Sequence, residues 1–403
     1  MMKSDLEHAF WAAVDAAHPQ KIMAKNLPDR PAGTAYVFAV GKAAVPMSEA
    51  VEALWGGELS GMVVAPHGSV ASLHSLTLKT AAHPYPDAEG AVSASALLAE
   101  LRSVPANAPV LFLLSGGASS LLLATEEGPK PDQLKQATKA LLNGGADIHA
   151  LNTVRRVLSP LLGGGAAKAC PGSLQTLAIS DVVGDDPIAI GSGPTVANPT
   201  EPKEALELLE KFGGGTAEIK AWINQRQSTT DLASRYTIIA SGPQSLEAAK
   251  AALIARGHDA TITADSQVGL ADDNALMLAE RVRRRPQGRP QVWLMGGEVD
   301  VVVKGQGRGG RNVQFAARLA QALDGVPGWQ FLAADTDGQD GNAPNAGAFC
   351  DGTSWQRARA QGLDPDAFLD NNDAHSLFEA LDDAFITGPT GTNVNDFRAL
   401  AFS

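Results

Sequence analysis

Short apolar runs that stop abruptly at glycine or at a charged residue recur along the chain. Tyr36–Val40 stops at Gly41-Lys42, Val110–Leu114 at Ser115-Gly116-Gly117, and Leu177–Ser180 at Asp181. Tyr236–Ala240 stops at Ser241-Gly242, Val292–Met295 at Gly296-Gly297-Glu298, and Phe331–Ala334 at Asp335. Continuous rather than alternating apolar runs are the pattern of strands buried on both faces, as in the sheets of α/β proteins. Gly61–Ala65, Ala260–Ala264 and Val299–Val303 read as further strands, and Leu76–Ala82 alternates. Between these runs the apolar spacing turns helical, at 5–17, 46–55, 131–142, 146–162, 204–212, 244–256, 269–284 and 312–323. Asp87 is placed to N-cap one more helix.

This βα alternation predicts an α/β protein. Its 403 residues are enough for two cores. Two prolines in 194–201 and the polar stretch 225–232 interrupt the alternation, which resumes at Tyr236. Two domains, 1–235 and 236–403, are therefore expected. Neither a repeat nor an apolar run of membrane-spanning length is present.

Composition narrows the partners. A net charge of −12 argues against nucleic acid, so an anionic ligand must meet a local cluster of Lys and Arg. Cys170 and Cys350 match no metal or redox spacing and read as buried thiols. The start of the chain has no signal-like apolar core, so a cytoplasmic location is expected, with no membrane partner and a homodimer left open.

The strand ends carry the candidate chemistry. Open α/β sheets bind ligands outside the carboxyl ends of their strands. At 115–120 small residues would let a ligand approach backbone N–H groups, and a helix opening there would aim its positive end at an anion. Lys42 sits at a strand-to-helix turn, where a cation can neutralise phosphate oxygens. Asp181, Asp185 and Asp186 crowd one strand end; they could hold Mg²⁺ through one or two ligands or supply a general base. Arg308 and Arg311 lie in a glycine-rich turn that opens a helix, the composition of an anion site. Asp335–Gly341 has part of the spacing of an EF-hand, but Ala346 stands where that loop needs Glu, so calcium is not expected. The loop 387–396 either closes a site or is a turn with Asp396 capping a last helix. No G-x-x-x-x-G-K-[ST] and no G-x-G-x-x-G after a strand occurs, so neither a Walker nor a standard dinucleotide site is supported.

In order, Gly41-Lys42-Ala43-Ala44, His83–Asp87, Ser115–Ser120, Asn152–Arg155, Ser180–Asp185, Gly191–Thr195, Gly296–Glu298, Gly309–Asn312, Thr336–Gly341 and Thr387–Asn393 resemble the class II glycerate 2-kinase family, whose members often carry the label hydroxypyruvate reductase. The resemblance implies a Rossmann-like N-terminal domain and a second α/β domain with a mixed sheet, of the MOFRL type, with the site in the cleft between them. It implies ATP-dependent phosphorylation of D-glycerate, or a related sugar acid, at the 2-hydroxyl, with Mg²⁺. Lys42, Asp181 and Arg311 would then be catalytic. Ser115, Gly116, Gly117, Ser119, Asn152, Arg155, Glu298, Asp337 and Asn393 would bind substrate or phosphate, and Asp185 is the candidate metal ligand. The chain departs from the family pattern at Val157, Leu162 and Val313; Lys168 could replace a lysine expected at 162 if the glycine loop bends back. An NAD(P)H-dependent hydroxypyruvate reductase and a non-catalytic sugar-acid-binding protein are the alternatives.

Overall fold

In a computed structural model, described over residues 2–83, 85–124, 128–229, 231–232, 234–285 and 290–403, the chain forms two compact α/β units. The first is Pro19–Ile239. The second joins the N-terminal residues through His18 to Ala240–Ser403.

The first unit is organised on strands β1 (Ala35–Val40), β2 (Leu59–Ser60), β3 (Met62–Pro66), β4 (Thr77–Ala81), β5 (Pro109–Leu114), β6 (Ser173–Ile179) and β7 (Arg235–Ala240). Their order is β4-β3-β1-β5-β6-β7, with β2 also on β1. The pairs β1–β3, β3–β4, β1–β5 and β5–β6 are parallel. All of Val110–Leu114 is buried, because helices such as Ala88–Ser103 and Ile148–Leu158 contribute to one apolar core around the sheet. Asp87 N-caps Ala88–Ser103, its side chain accepting from the N–H of Gly90. From β1 the chain moves outward to β3 and β4, then returns to the opposite side of β1 as β5. The strand order therefore reverses between β1 and β5, the position at which open α/β sheets gather ligands.

The second unit carries β8 (Ala260–Gln267), β9 (Gln291–Gly297), β10 (Trp329–Asp335), β11 (Gly347–Asp351), β12 (Ala384–Phe385) and β13 (Asp396–Phe402). The order is β12-β11-β10-β13-β9-β8. Only β8–β9 is parallel; β9–β13, β13–β10, β10–β11 and β11–β12 are antiparallel, so the sheet is mixed.

Several expectations differ from what is observed. The chain after Asp396 is no helix: β13 is the central strand of the second sheet, buried at every residue. Its apolar run is broken by Arg398, which is fully buried, pairs with Asp396 and lies 4.8 Å over the ring of Phe315. Residues 299–303 form no strand beyond an isolated bridge from Asp300 to Leu270, and Val302 and Val303 are exposed. The backbone that follows is held by side chains instead: Asn372 accepts from Lys304 and Gly305, Asn371 from Gln306. The helix expected over 146–162 ends at Leu158, before Pro160, and Ala217–Asn224 is an additional helix capped by Thr216. Residue 230 of the polar stretch and residues 286–289 of the basic run beyond Arg281 lie outside the described residues.

Helix Met2–Ala17 belongs to the second unit, although the sequence placed it with the first. Leu6, Ala9, Phe10, Ala13 and Val14 bury themselves with Leu246, Leu253, Phe385 and Phe397. Phe10 meets Phe385 and Phe397 edge-on at 5.0 and 5.7 Å. Replacement of this fully buried ring, Phe10→Ala, is expected to destabilise the second unit by about 3–5 kcal/mol. Urea unfolding followed by tryptophan fluorescence measures this; a loss below about 1 kcal/mol would show that the helix is only loosely applied.

Candidate functional site

At the sheet reversal of the first unit, the turns after β1 and β5 are pressed together. Gly41 has φ +126°, and a Cβ there would stand 2.3 Å from Ser115 Oγ. The N–H of Lys42 donates to the carbonyl of Gly116 (2.8 Å) and that of Ala43 to Ser115 Oγ (3.0 Å). Ser115 is thus a buried clamp between two turns. The neighbouring end of β6 contributes Asp181: a Cβ on Gly116 would lie 1.8 Å from its Oδ2. A Cβ on Gly117, which has φ +83°, would lie 3.0 Å from Cδ2 of the His83 ring and 3.4 Å from Cγ of the Lys42 stem. Lys42, Asp181 and His83 therefore surround one glycine pair whose missing side chains make the approach possible. The helix that follows, Ala118–Leu121, is a single turn. The anion-binding capacity of this turn thus rests on side chains and individual N–H groups more than on a helix dipole.

Behind the glycine turn, Ser119 Oγ lies 2.8 Å from Ser192 Oγ, and Ser192 donates to Asn152 Oδ1 at 3.3 Å. Ser192 is fully buried and has φ +59°, an uncommon conformation for a non-glycine residue. The expected residues Ser119 and Asn152 are joined through it, and nothing in its local sequence beyond Gly191-Ser-Gly193 marks it. Arg155 lies three residues beyond Asn152 on the same helix. Burial lowers its pKa to about 10, and its Nε is buried without a hydrogen-bond partner. His83 is held down to about 4, first by burial of the ring among these loops and then by the charges of Lys42 and Arg155, although part of the residue stays open to solvent. It is therefore a neutral hydrogen-bonding group at pH 7. Pro84, in the same motif, lies outside the described residues.

Tyr236, on β7, is a further neighbour that its sequence position did not reveal. Its hydroxyl is buried without a partner, and its pKa is raised by burial and by the carboxylates of Asp181 and Asp186. Asp185 occupies a turn at φ +55° and is half-buried, while Asp186 accepts from the N–H of Ile188 (3.1 Å). Among the described residues, no three His, Cys, Asp or Glu side chains stand where they could share a metal ion. Val157 and Leu162, the departures from the family pattern in this unit, are core residues, as is Val313 in the other. Lys168 does not replace the side chain missing at 162; it lines another depression, with Arg102 and Arg226.

In the second unit, Arg311 opens helix Arg311–Ala322 and is clamped by three carboxylates: Asp396 on Nε (2.8 Å), Glu298 on Nη1 (2.8 Å) and Asp335 on Nη2 (2.9 Å). Burial alone would lower its pKa; the charges of Asp396, Asp335 and Glu298 outweigh this and hold it well above the usual value. Asp335 is pushed well up, by burial and then by Asp337, more than Arg311 brings it down. Asp340 caps the same helix, accepting from the N–H groups of Asn312 (3.0 Å) and Val313 (2.8 Å), and burial raises it to about 6. The glycine-rich turn before Arg311 is not the open anion cradle that its composition suggested. The N–H groups of Arg308 and Gly309 are taken by Asp373 and Asn342, and its glycines pack closely against Asn371 and Asp373 (Gly305, Gly307), His375 (Gly309) and Asp340 (Gly310). Asp337 accepts from the N–H of Gln339 (2.9 Å) and Asn393 from that of Asn395 (3.0 Å). The two loops are stitched together where the N–H of Thr390 donates to the carbonyl of Asp337 (3.1 Å). Arg311 and Asp335 also line a cleft of about 410 Å³ with Gly309, Gly310 and Asn342.

Comparison with known proteins identifies the family of the chain. Residues 5–225 match a domain of unknown function, DUF4147, and residues 291–396 match the MOFRL family. A protein of Agrobacterium vitis named "Putative hydroxypyruvate reductase" is 38% identical, covering 98% of this chain and 93% of its own. A D-glycerate 2-kinase of Thermotoga maritima is 34% identical, covering 95% and 94%. The crystal structure of a glycerate kinase from Thermotoga maritima superposes with a TM-score of 0.91 over 100% of both chains, at 33% identity.

Two measurements test the geometry. Arg311→Ala leaves three carboxylates facing one another and is expected to cost about 3–5 kcal/mol in urea unfolding; an arginine that served only a ligand would leave stability unchanged. For His83, the unfolded chain binds more protons than the folded one between about pH 4 and its ordinary value near 6.5, so this residue makes stability rise with pH across that window. His83→Gln should flatten the rise, and a ring titrating near pH 6.5 in the folded protein by NMR would contradict the burial argument.

Proposed function

Because the chain belongs to the glycerate 2-kinase family, built from a DUF4147 and a MOFRL domain, we propose that it transfers the γ-phosphoryl group of ATP to the 2-hydroxyl of D-glycerate. The observation that carries this reading is the meeting of Lys42 and Asp181 at the Gly116-Gly117 turn. In the reaction, the 2-hydroxyl oxygen bonds to the γ-phosphorus, the bond from that phosphorus to the bridging oxygen of ADP breaks, and the hydroxyl proton passes to Asp181. Lys42 stabilises charge on the phosphoryl oxygens in the transition state, the main work in phosphoryl transfer. N–H groups of Gly116 and Gly117 contact phosphate or carboxylate, and Ser119, Asn152 and Arg155 hold the substrate carboxylate. Ser115 acts by fixing the turn. His83, neutral, orients the substrate by hydrogen bonding rather than by charge.

In the second unit we assign substrate and nucleotide contacts to Glu298, Asp337 and Asn393. Arg311 retains one hydrogen on each Nη beyond its bonds to Glu298 and Asp335. It serves as the anchor that fixes Glu298, Asp335 and Asp396, with those remaining donors available to phosphate. Magnesium fits as a companion of ATP. It is usually held by one or two carboxylates plus substrate phosphates rather than by an all-protein cage. Asp185, on the strand-end loop after β6, would provide such a ligand, leaving Asp181 to take the hydroxyl proton, and the ion would neutralise phosphate charge.

The reductase name of the Agrobacterium relative makes a parallel test necessary, although the turn after β1 is Gly41-Lys42-Ala43-Ala44 and carries no dinucleotide fingerprint. ³¹P NMR with Mg-ATP and D-glycerate should show the 2-phosphoglycerate resonance, with no NADH oxidation on hydroxypyruvate. NADH oxidation without a phosphomonoester would overturn the kinase. Lys42→Ala should lower kcat by about 10²–10³-fold while leaving the unfolding midpoint nearly unchanged. Equal loss of stability would make this lysine structural.

A further inference from the structure

The first unit contains a basic depression that the proposed reaction does not use. It has a volume of about 440 Å³ and is lined by Arg102, Lys168, Arg226, Gln225, Gln227 and Thr229, over an apolar floor that includes Leu98 and Pro160. Among the described residues lining it there is no carboxylate. This is unusual in a chain of net charge −12. The other clefts differ: the one beside Arg311 includes Asp300, Asp335 and Asp340, and a third, of about 200 Å³, includes Asp272, Asp273, Asp300 and Asp370.

The three cations come from separate parts of the chain. Arg102 lies in the last turn of Ala88–Ser103, on the connection leading into β5, and Lys168 in the last turn of Gly165–Ala169, leading into β6. Arg226 follows helix Ala217–Asn224. Its guanidinium lies 5.1 Å over the Trp222 ring and donates to the carbonyl of Ser159 (3.4 Å). Lys42, Ser115–Ser119 and Asp181, by contrast, lie just past the ends of β1, β5 and β6. Compensation of helix dipoles would account for Arg102 and Lys168 each at its own helix end. It does not account for their convergence with a third cation that is already oriented by an aromatic ring.

We propose that this depression is a second anion site, separate from the strand-end loops, that takes a small ligand bearing phosphate or diphosphate. Its volume falls in the ordinary range of small-molecule pockets, about 300–1,000 Å³. Guanidinium groups match phosphate oxygens in pairs, the glutamine amides and Thr229 hydroxyl can donate to the remaining ones, and apolar walls strengthen each charged contact.

The test is calorimetric titration of the intact protein with inorganic pyrophosphate, and in parallel with inorganic phosphate. Three proteins are compared: the natural sequence, Lys42→Ala, and Arg102→Gln combined with Lys168→Gln. Binding should persist in Lys42→Ala and weaken about tenfold or more in the double variant, as expected for loss of two charge-assisted contacts. The double variant should retain its thermal midpoint and its turnover. If it does not fold, Lys168→Gln alone, at the end of a five-residue helix, carries the comparison. Pyrophosphate binding stronger than phosphate binding indicates a diphosphate ligand, and equal binding a monophosphate. Binding abolished by Lys42→Ala and untouched by the Arg102 and Lys168 substitutions would assign it to the strand-end loops and overturn the proposal. Failure of either anion to bind at millimolar concentration would do the same.

Discussion

The first unit depends on how closely two strand-end turns can approach. Gly41 lies against Ser115 with no room for a methyl group, and Gly116 lies against the carboxylate of Asp181 in the same way. These contacts draw the ends of three adjacent parallel strands into one surface. Lys42 and Asp181, with opposite charges, are then delivered to the same glycine pair by different strands. A side chain at either glycine would separate them, so the backbone geometry and the candidate chemistry are one constraint.

The second unit solves a different electrostatic problem. Three carboxylates, Glu298, Asp335 and Asp396, come from three strands or strand ends and would repel one another but for Arg311. Asp396 is shared further, with Arg398 on its other oxygen, and this pair is wholly buried in the central strand. Buried ion pairs of this kind seldom add much net stability, but removing one partner exposes the full desolvation cost of the other. Arg311 therefore resembles a keystone more than a free hand. That changes its reading from an anion ligand to a group whose first task is to fix its neighbours.

The strand-end pattern was legible along the chain because parallel strands covered on both faces need unbroken apolar residues, and their turns need glycine. Lys42, Ser115–Gly117 and Asp181 could accordingly be picked out from local composition, and the structure brings them to neighbouring strand ends. The same local logic failed at β13. A strand containing Arg398 reads as surface until its partners, Asp396 and the Phe315 ring, are known. It failed too at residues 299–303, where an apolar run finds no neighbouring strand along its length and the following backbone is satisfied by asparagine side chains instead.

The sequence by itself determined the alternation of strands and helices, the chemical character of each strand end and the resemblance to a kinase family, since these depend on residues near one another in the chain. Only the tertiary structure decided which charges are already balanced. Arg311 is neutralised by residues 13, 24 and 85 positions away, and the glycines before it pack against Asn371, Asp373, His375 and Asp340 rather than around an anion. It also decided that the first helix joins the last third of the chain, and that Tyr236 and Ser192 stand among the candidate residues. Such facts rest on long-range packing and desolvation, which no local pattern encodes.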